Sequence, residues 1–461
     1  MRLTILFRAA IAAALVVPAA LGQATPAAVS SGSGEHWVAT WATSAQVYRG
    51  PAAPPRPAAP PVATQAAPTA PPAPAATPPA GANPAGATTA ATQSAPAPAR
   101  PRPPQSLENQ TVRMIVHTSI GGNRLRLELT NPFGSTAVTV GAAHIALRDK
   151  DSAIIPASDR AITVNGGKSF KMIAGETVFT DPVDLEFAPL SDLAVSLFFP
   201  EATGPLASHG LGLHTTYFAG PGDFTAQASI AEPIATSMAY YWISSVDVLA
   251  PADAATIVTL GDSITDGAKS TPDTDRMWPA RLAARLQANK ATAHIAVDNQ
   301  GISGNRLLMD GSGVAALARL DHDVLLQSGA KWVMILEGIN DIGNQTRVNT
   351  GLKSEDLIGA LRQVVERAHT HGLKVIGCTL TPYKGAGYYS EEGEVMREAE
   401  NDFIRHGGVF DAVVDFDAAV RDPNNPKSFR QDMQSGDQLH PSDAGYQVMA
   451  DAIDLSIFTK K

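Results

Sequence analysis

The sequence predicts an α/β fold with a parallel sheet in the C-terminal half of the chain, preceded by an all-β region. From about residue 255, short apolar runs alternate with stretches of helical periodicity, which is typical of β-α-β units. Between about residues 110 and 233, apolar and polar residues alternate, and Gly, Pro, Asn and Asp interrupt the runs. With 461 residues the chain is longer than one ordinary core requires, which favours two domains.

The first residues have the pattern of an export signal. Arg2 and Arg8 supply positive charge, Ala9 to Val17 form an apolar run, and small residues flank Leu21 as at a cleavage site. Residues 1–22 are therefore predicted to be a signal peptide, and the mature protein is expected to be secreted or periplasmic. The apolar run is too short to cross about 30 Å of hydrocarbon, so no integral membrane association is expected.

An all-β, sandwich-like domain is predicted over residues 36–235. Its first strand, residues 37–41, precedes a segment at 50–105 that consists almost entirely of Ala, Pro, Thr and Gln. Such a composition cannot bury enough apolar surface to order itself, so we expect a disordered insertion. Because a lone strand is not stable, residues 37–41 are expected to pair beyond the insertion; a free N-terminal tail is the alternative. The later strands, in a sandwich of about eight, are predicted at residues 111–118, 124–129, 137–140 and 193–199.

A second domain is predicted over residues 250–461 and is built on the parallel sheet. Helical patterns, for example at residues 356–369 and 394–405, separate apolar runs that are typical of strands buried on both faces. Ligands bind at the carboxyl ends of the strands in such sheets, so functional residues are expected just after the strands. The predicted strands are residues 256–260, 293–297, 332–336, 375–380 and 412–416.

Four short segments of this domain carry groups suited to acyl transfer. Ser263 follows the first predicted strand, where its hydroxyl can project into a cleft. After the next two strands, Gly304 lets the backbone approach a substrate closely and Asn340 offers a side-chain N–H. Near the C terminus, Asp437 stands three residues before His440, so one short loop presents a base with the carboxylate that orients it.

Each of these groups alone has an ordinary structural explanation. A serine in a Gly/Asp loop is usually a turn residue or a helix cap, and an Asp three residues before a His is common. The combination favours catalysis, because a nucleophile, two N–H donors and a base are all expected at one edge of one sheet. The single cysteine, Cys378, lies in the fourth predicted strand and is expected to be buried and inert.

Composition excludes several other classes of function. The net charge of −9 argues against nucleic-acid binding, which needs a basic face. The chain has no His-Glu-x-x-His motif and no His/Asp cluster with ligand spacing, so neither a metal nor another cofactor is expected.

The four segments resemble the SGNH, or GDSL-type, hydrolase family. That family carries its nucleophile in a Gly-Asp-Ser block, and here Ile264 follows the block where the family name has Leu. The resemblance implies a flavodoxin-like, three-layer α/β/α domain over about residues 255–455. Some secreted bacterial members also carry a β domain that opens with a Trp-x-x-x-Trp segment, here Trp37 and Trp41. The implied catalytic residues are Ser263, His440 and Asp437, and the implied oxyanion-hole donors are Ser263, Gly304 and Asn340.

The expected activity is that of a serine ester hydrolase that removes acetyl or other short acyl groups from carbohydrate. Its expected partners are small-molecule or polysaccharide esters. A lipase, phospholipase or broad arylesterase is the alternative among enzymes, and a non-catalytic polysaccharide-binding protein is the alternative outside them. Tyr383, Tyr388 and Tyr389 follow the fourth predicted strand and either stack on sugar rings or pack within their loop.

Overall fold

The computed structural model describes residues 34–46 and 103–459. The predicted signal peptide at 1–22 and nearly all of the predicted insertion at 50–105 lie outside the described residues. Within the described ranges, no helix has the length and apolar character needed to cross a membrane.

The N-terminal part of the described chain forms two main antiparallel sheets. Its strands are β1 (Glu35–Ala42), β2 (Gln110–His117), β3 (Gly122–Thr130), β4 (Val138–Val140), β5 (Ala142–Leu147), β6 (Arg160–Ala161), β7 (Phe170–Met172), β8 (Thr177–Phe179), β9 (Val183–Phe187), β10 (Asp192–Phe199), β11 (Ser208–His209), β12 (Thr216–Pro221), β13 (Ala235–Ser237), β14 (Tyr240–Tyr241) and β15 (Ile243–Pro251). One sheet has the order β1-β15-β3-β8, with β9 also paired to β3, and the other has the order β13-β12-β2-β10-β5-β6.

The two sheets share one apolar core. Leu125, Leu127 and Leu129 alternate along β3 and are fully buried. They pack in one cluster with Val112 and Met114 of the facing sheet. This inward alternation on both sheets produces a sandwich. The part contains more strands than the eight or so that the sequence indicates, because many of them are only two or three residues long.

The first strand belongs to the sandwich and is not a free tail. In β1, Trp37 lies opposite Leu249 of β15, and β15 in turn pairs with β3. Strand β15 is an interior strand of this sheet, between β1 and β3. The sheet therefore includes residues up to Pro251, past the predicted domain end at residue 235.

The C-terminal part is an α/β unit with a five-stranded parallel sheet. The strand order is β17 (Ile295–Gly301), β16 (Ala255–Gly261), β18 (Ala330–Leu336), β19 (Lys374–Cys378) and β20 (Ala412–Val414). Helices pack on both of its faces, with α2 (Trp278–Gln287) against α8 (Asp443–Asp451) in one group and α5 (Ser354–Thr370) against α6 (Glu391–His406) in the other. The predicted α/β fold class is confirmed. The elements are β16 (Ala255–Gly261), α1 (Ser263–Asp266), α2 (Trp278–Gln287), β17 (Ile295–Gly301), α3 (Ala316–Leu320), β18 (Ala330–Leu336), α4 (Ile339–Val348), α5 (Ser354–Thr370), β19 (Lys374–Cys378), α6 (Glu391–His406), β20 (Ala412–Val414), α7 (Phe416–Val420), β21 (Arg421–Asp422), β22 (Asn425–Phe429) and α8 (Asp443–Asp451), and short helical turns lie at Pro156–Ser158, Asp321–Leu325 and Leu455–Phe458.

The sandwich covers one edge of the parallel sheet. Strand β1 lies against the edge strand β17, and Ala296 of β17 is part of the sandwich core. The Val297 N–H donates to Ser119 Oγ at 3.0 Å, and Thr256 Oγ1 donates to the Ala39 carbonyl at 3.0 Å. Because these contacts satisfy polar groups of the edge strand β17 and of a residue at the start of its neighbour β16, the two parts form a continuous interface.

Candidate active site

The turn after β16 presents Ser263 at the carboxyl end of the sheet. Asp262 caps the four-residue helix α1 by accepting a hydrogen bond from the Ile264 N–H at 2.9 Å. The position before it requires glycine, because a Cβ atom at Gly261 would lie 2.7 Å from the Leu336 carbonyl oxygen. The tight turn leaves Ser263 7% exposed at the first position of the helix.

The structure brings His440 and Asp437 to this serine. Ser263 Oγ lies 2.8 Å from His440 Nε2, and His440 Nδ1 lies 2.7 Å from Asp437 Oδ2. The other oxygen of Asp437 accepts the backbone N–H groups of His440 and Leu439 at 2.9 and 3.0 Å. Burial acts to raise the pKa of Asp437, but the hydrogen bonds from His440 and Leu439 outweigh it and hold the pKa at about 2. The loop therefore presents an ionised carboxylate to the imidazole at neutral pH.

The two expected N–H donors follow the strands on either side of β16. Gly304 lies after β17 with a φ of +77°, and a Cβ atom there would lie 2.5 Å from Ser312 Oγ, so only glycine fits. Asn340 is the second residue of α4, directly after β18. Its buried Nδ2 has no hydrogen-bond partner among the described residues, and its Oδ1 lies 3.5 Å from the Tyr388 hydroxyl. An unused buried donor at this edge is suited to an oxyanion.

A buried relay that sequence reasoning missed supports the Gly304 loop from the sandwich. Asp266 Oδ2 accepts the N–H and the hydroxyl of Ser303, next to Gly304, at 2.8 and 2.6 Å. The other Asp266 oxygen lies 2.9 Å from Nε2 of His209 in β11, and His209 Nδ1 lies 2.9 Å from the Ser44 carbonyl oxygen. Burial acts to lower the pKa of His209, but the Asp266 carboxylate raises it above its ordinary value. Because both ring nitrogens of His209 face oxygen atoms, its protonated form is favoured.

Arg319 forms a second buried link and was also missed. Its Nη2 donates to the Gly261 carbonyl at 3.2 Å and to Asn305 Oδ1 at 2.8 Å. Its Nη1 donates to Ser44 Oγ and to Asp323 Oδ2, both at 2.8 Å. The Arg319 guanidinium thus links three parts of the chain: the end of β16 before the nucleophile, the Gly304 loop, and Ser44 just after β1. No local motif marks Asp266, His209 or Arg319, since their partners are distant in sequence.

Buried carboxyl groups lie beneath the site. Asp341 accepts the N–H groups of Leu307 and Leu308 at 2.7 and 3.1 Å, and burial raises its pKa to about 6. Burial also raises the pKa of Glu337 and of Glu400 well above the usual range. Neither oxygen of Glu400 has a hydrogen-bond partner in the described part of the chain. Burial therefore favours the neutral form of both the Glu337 and the Glu400 carboxyl groups.

The tyrosines after β19 pack within the fold. Tyr383 is fully buried and Tyr388 is 8% exposed, so neither ring is available to stack on a sugar. Tyr389 is half-buried, and its hydroxyl donates to Glu391 at 2.9 Å. Cys378 is buried, and its burial raises the pKa of the thiol, as expected for an inert cysteine.

Comparison with known proteins shows what the α/β unit is similar to. Residues 257–453 match the family model described as GDSL-like Lipase/Acylhydrolase. LAE5, an alpha/beta hydrolase enzyme from the metagenome of Lake Arreo, Spain, is 24% identical over 45% of this chain and 97% of its own, with a TM-score of 0.34. Axe2, an acetylxylan esterase from Geobacillus stearothermophilus, is 24% identical over 43% of this chain and 91% of its own, with a TM-score of 0.34.

A GDSL-like lipase from Bacteroides thetaiotaomicron is 20% identical over 44% of this chain and 87% of its own, with a TM-score of 0.32. No curated protein matches the chain.

Proposed function

Since the chain belongs, through residues 257–453, to the GDSL-like lipase/acylhydrolase family, we propose that it is a secreted serine esterase that removes acetyl or other short acyl groups from carbohydrate. The observation that carries the proposal is the continuous relay of Asp437, His440 and Ser263, with contacts of 2.7 and 2.8 Å. A serine hydroxyl is a weak nucleophile by itself, and an imidazole held by a carboxylate is the arrangement that activates it.

Acylation begins when Ser263 Oγ attacks the ester carbonyl carbon. His440 Nε2 takes the hydroxyl proton, and Asp437 stabilises the imidazolium that forms. The carbonyl π electrons move onto oxygen, where the N–H groups of Ser263 and Gly304 and the Asn340 amide bind the oxyanion. When the oxyanion collapses, the C–O bond to the leaving alcohol breaks, and His440 returns the proton to that alcohol.

Deacylation repeats these steps with water as the nucleophile. His440 removes a proton from a water molecule, whose oxygen attacks the acyl-enzyme carbonyl. The same three donors bind the second oxyanion. Its collapse releases the acid and returns the proton to Ser263 Oγ. Every proton transfer is carried by one imidazole, so no metal is needed for the chemistry.

The surroundings of the site support a short acyl group and a polar alcohol. Of the large hydrophobic side chains that are exposed in the described residues, none lies in the segments 261–267, 301–306, 338–341 or 437–441. The buried Tyr388 fills space beside Asn340. A long acyl chain would need an extended apolar surface, and the exposed large hydrophobic side chains of the described residues do not provide one at these segments.

Release of acetate from a panel of acetylated polysaccharides tests the substrate, with Ser263→Ala as the matched control. The wild type is expected to release acetate, and the variant none. A series of p-nitrophenyl esters gives the acyl length, because activity should fall from acetyl to long chains. If activity rises with chain length instead, the protein is a lipase and the carbohydrate proposal is wrong.

Labelling with a fluorophosphonate probe separates an esterase from a polysaccharide-binding protein. The folded wild type should form an adduct on Ser263, and Ser263→Ala should not. A folded wild type without any adduct would favour the binding protein.

A further inference from the structure

We propose that His117, Asp192 and Asp275 form a zinc-binding site between the sandwich and the α/β unit. His117 ends β2 and Asp192 begins β10, and the two lie opposite each other in the antiparallel register. Asp275 lies in the loop that connects α1 to α2. The sandwich therefore supplies a nitrogen and an oxygen ligand, and the α/β unit supplies a second oxygen. This site is independent of the proposed esterase function.

The three ligand atoms already have nearly the spacing of a tetrahedral site. They all lie within 4.8 Å of one another. His117 Nδ1 is 2.7 Å from Asp192 Oδ1 and 3.4 Å from Asp275 Oδ2. With Zn–N and Zn–O bonds of about 2.0–2.2 Å, neighbouring ligand atoms in a tetrahedron are about 3.3–3.5 Å apart. The distance from His117 to Asp192 needs to increase by less than about 1 Å, and the distance from His117 to Asp275 needs no change.

Both carboxylates also form hydrogen bonds with side chains outside the proposed ligand set. Asp192 Oδ2 accepts a hydrogen bond from Arg148 Nη1 at 2.8 Å. Asp275 Oδ1 lies 2.8 Å from Nε2 of His214, which is 3% exposed. The other ring nitrogen of His214, Nδ1, is buried and lies 3.7 Å from Asp273 Oδ1, so the ring is held between two carboxylates while Nε2 faces Asp275. Such supporting contacts orient metal ligands and raise affinity.

A cavity beside the ligands leaves room for the fourth position of the metal. It measures about 70 Å³ and is lined by His117, His214 and Asp275. One water molecule needs about 10–15 Å³ of such space. The side chains of His117, Asp192 and Asp275 are 20%, 29% and 20% exposed, so an ion can enter. Imidazole with two carboxylates suits Zn²⁺, whereas Ca²⁺ and Mg²⁺ prefer oxygen ligands alone.

Titration of the metal-free, tag-free mature protein with Zn²⁺, followed by calorimetry, tests the proposal. We expect one Zn²⁺ per chain, and at least a tenfold weaker affinity in His117→Gln and in Asp275→Asn. His144→Gln is the matched control, because His144 forms a similar pair with Asp159 at 2.8 Å in the same sheet but belongs to no three-ligand group within the part of the chain that the structure describes. It should bind zinc as the wild type does.

The assignment would be overturned if the wild type did not bind zinc, or if both ligand variants bound zinc as tightly as the wild type does. It would also be overturned if the wild type bound Ca²⁺ or Mg²⁺ as tightly as Zn²⁺. X-ray absorption at the zinc edge identifies the ligand atoms in the wild-type protein, so it tests the site even if a variant does not fold. One imidazole and two or three oxygen ligands are expected, and two imidazoles would contradict the site.

Discussion

The side-chain amide of Asn340 is a buried donor without a partner, which is costly in a folded protein unless function uses it. If it binds the oxyanion, Asn340→Ala should lower kcat by roughly 100- to 1000-fold. The loss should appear in kcat more than in KM, because the donor acts mainly on charge that develops in the transition state. Steady-state hydrolysis of p-nitrophenyl acetate measures both constants.

Asn424→Ala is the control for this substitution, because Asn424 is exposed in the turn between β21 and β22 of the same unit. It should leave kcat unchanged. An Asn340→Ala protein that melts as the wild type does and keeps nearly full kcat would remove Asn340 from the oxyanion hole.

Sequence could reveal the proposed catalytic residues because their chemistry is local. Asp437 and His440 share one loop, and Ser263 follows an apolar strand directly. The supporting residues leave no such pattern. His209 reaches Asp266 from a different sheet, and a histidine in a β pattern usually has an ordinary packing role. The proposed zinc ligands likewise meet only in three dimensions.

At the scale of elements, the neighbouring order β17-β16-β18 carries the site, since three strand ends deliver three segments to one edge. The predicted second strand, residues 293–297, differs from the observed Ile295–Gly301. The strand continues through polar residues because these have buried partners. Asn299 Nδ2 donates to the Thr265 carbonyl at 2.9 Å, and Gln300 Oε1 accepts from Ser44 Oγ at 2.6 Å. Hydrophobic patterning cannot detect a strand end that depends on such partners.

The link from β11 to the Gly304 loop gives the sandwich a positioning role. His209→Ala removes the group that holds Asp266, so the Ser303 contact should loosen and kcat should fall roughly 10- to 100-fold with KM little changed. Ser303→Ala acts on the same carboxylate. The double variant should therefore lose less than the product of the two single losses.

Kinetics of the two single variants and the double variant on p-nitrophenyl acetate measure this coupling. His144→Ala removes a histidine–aspartate pair of the sandwich that does not contact the site, and it should leave kcat unchanged. Equal losses in kcat for His209→Ala and His144→Ala would show a general loss of stability instead.

Across the whole molecule, the buried carboxyl groups make stability depend on pH. Glu400 has a folded-state pKa well above its unfolded value of about 4.3, so the folded state binds more protons. The stability that this group contributes is present below about pH 4.3 and is lost as the pH rises through the folded pKa. Asp341, whose pKa is about 6, acts in the same direction. Melting temperatures should therefore be higher at pH 5 than at pH 8.

Glu400→Gln keeps the shape of the side chain but cannot ionise, so it should flatten this pH dependence and raise the melting temperature at pH 8. Glu398→Gln is the matched control, because Glu398 is exposed on the same helix, α6. Melting temperatures of both variants and the wild type, measured by calorimetry from pH 5 to pH 8, test this expectation. Identical pH profiles for Glu400→Gln and the wild type would mean that Glu400 is ionised in the folded protein.

The contacts of the described residues also predict which part of the chain the fold can lose. Just before the predicted insertion, the Gln46 N–H donates a hydrogen bond to the Ser208 carbonyl at 2.7 Å. Just after it, Leu107 is fully buried and its N–H donates to Thr203 Oγ1 at 3.0 Å. Both flanks are therefore held by the sandwich itself.

Replacing residues 51–100 with a Gly/Ser linker of about 20 residues should leave turnover unchanged. A 20-residue linker can span up to about 66 Å, and shortening the loop lowers its closure cost by about 1 kcal/mol. Deleting residues 34–42 instead removes β1, which leaves β15 paired only with β3 and exposes the edge strand β17, so that protein should fail to fold. Melting temperature and p-nitrophenyl acetate turnover compare the two. If the linker variant loses as much as the β1 deletion, the insertion is part of the folded structure and the sequence prediction for it is wrong.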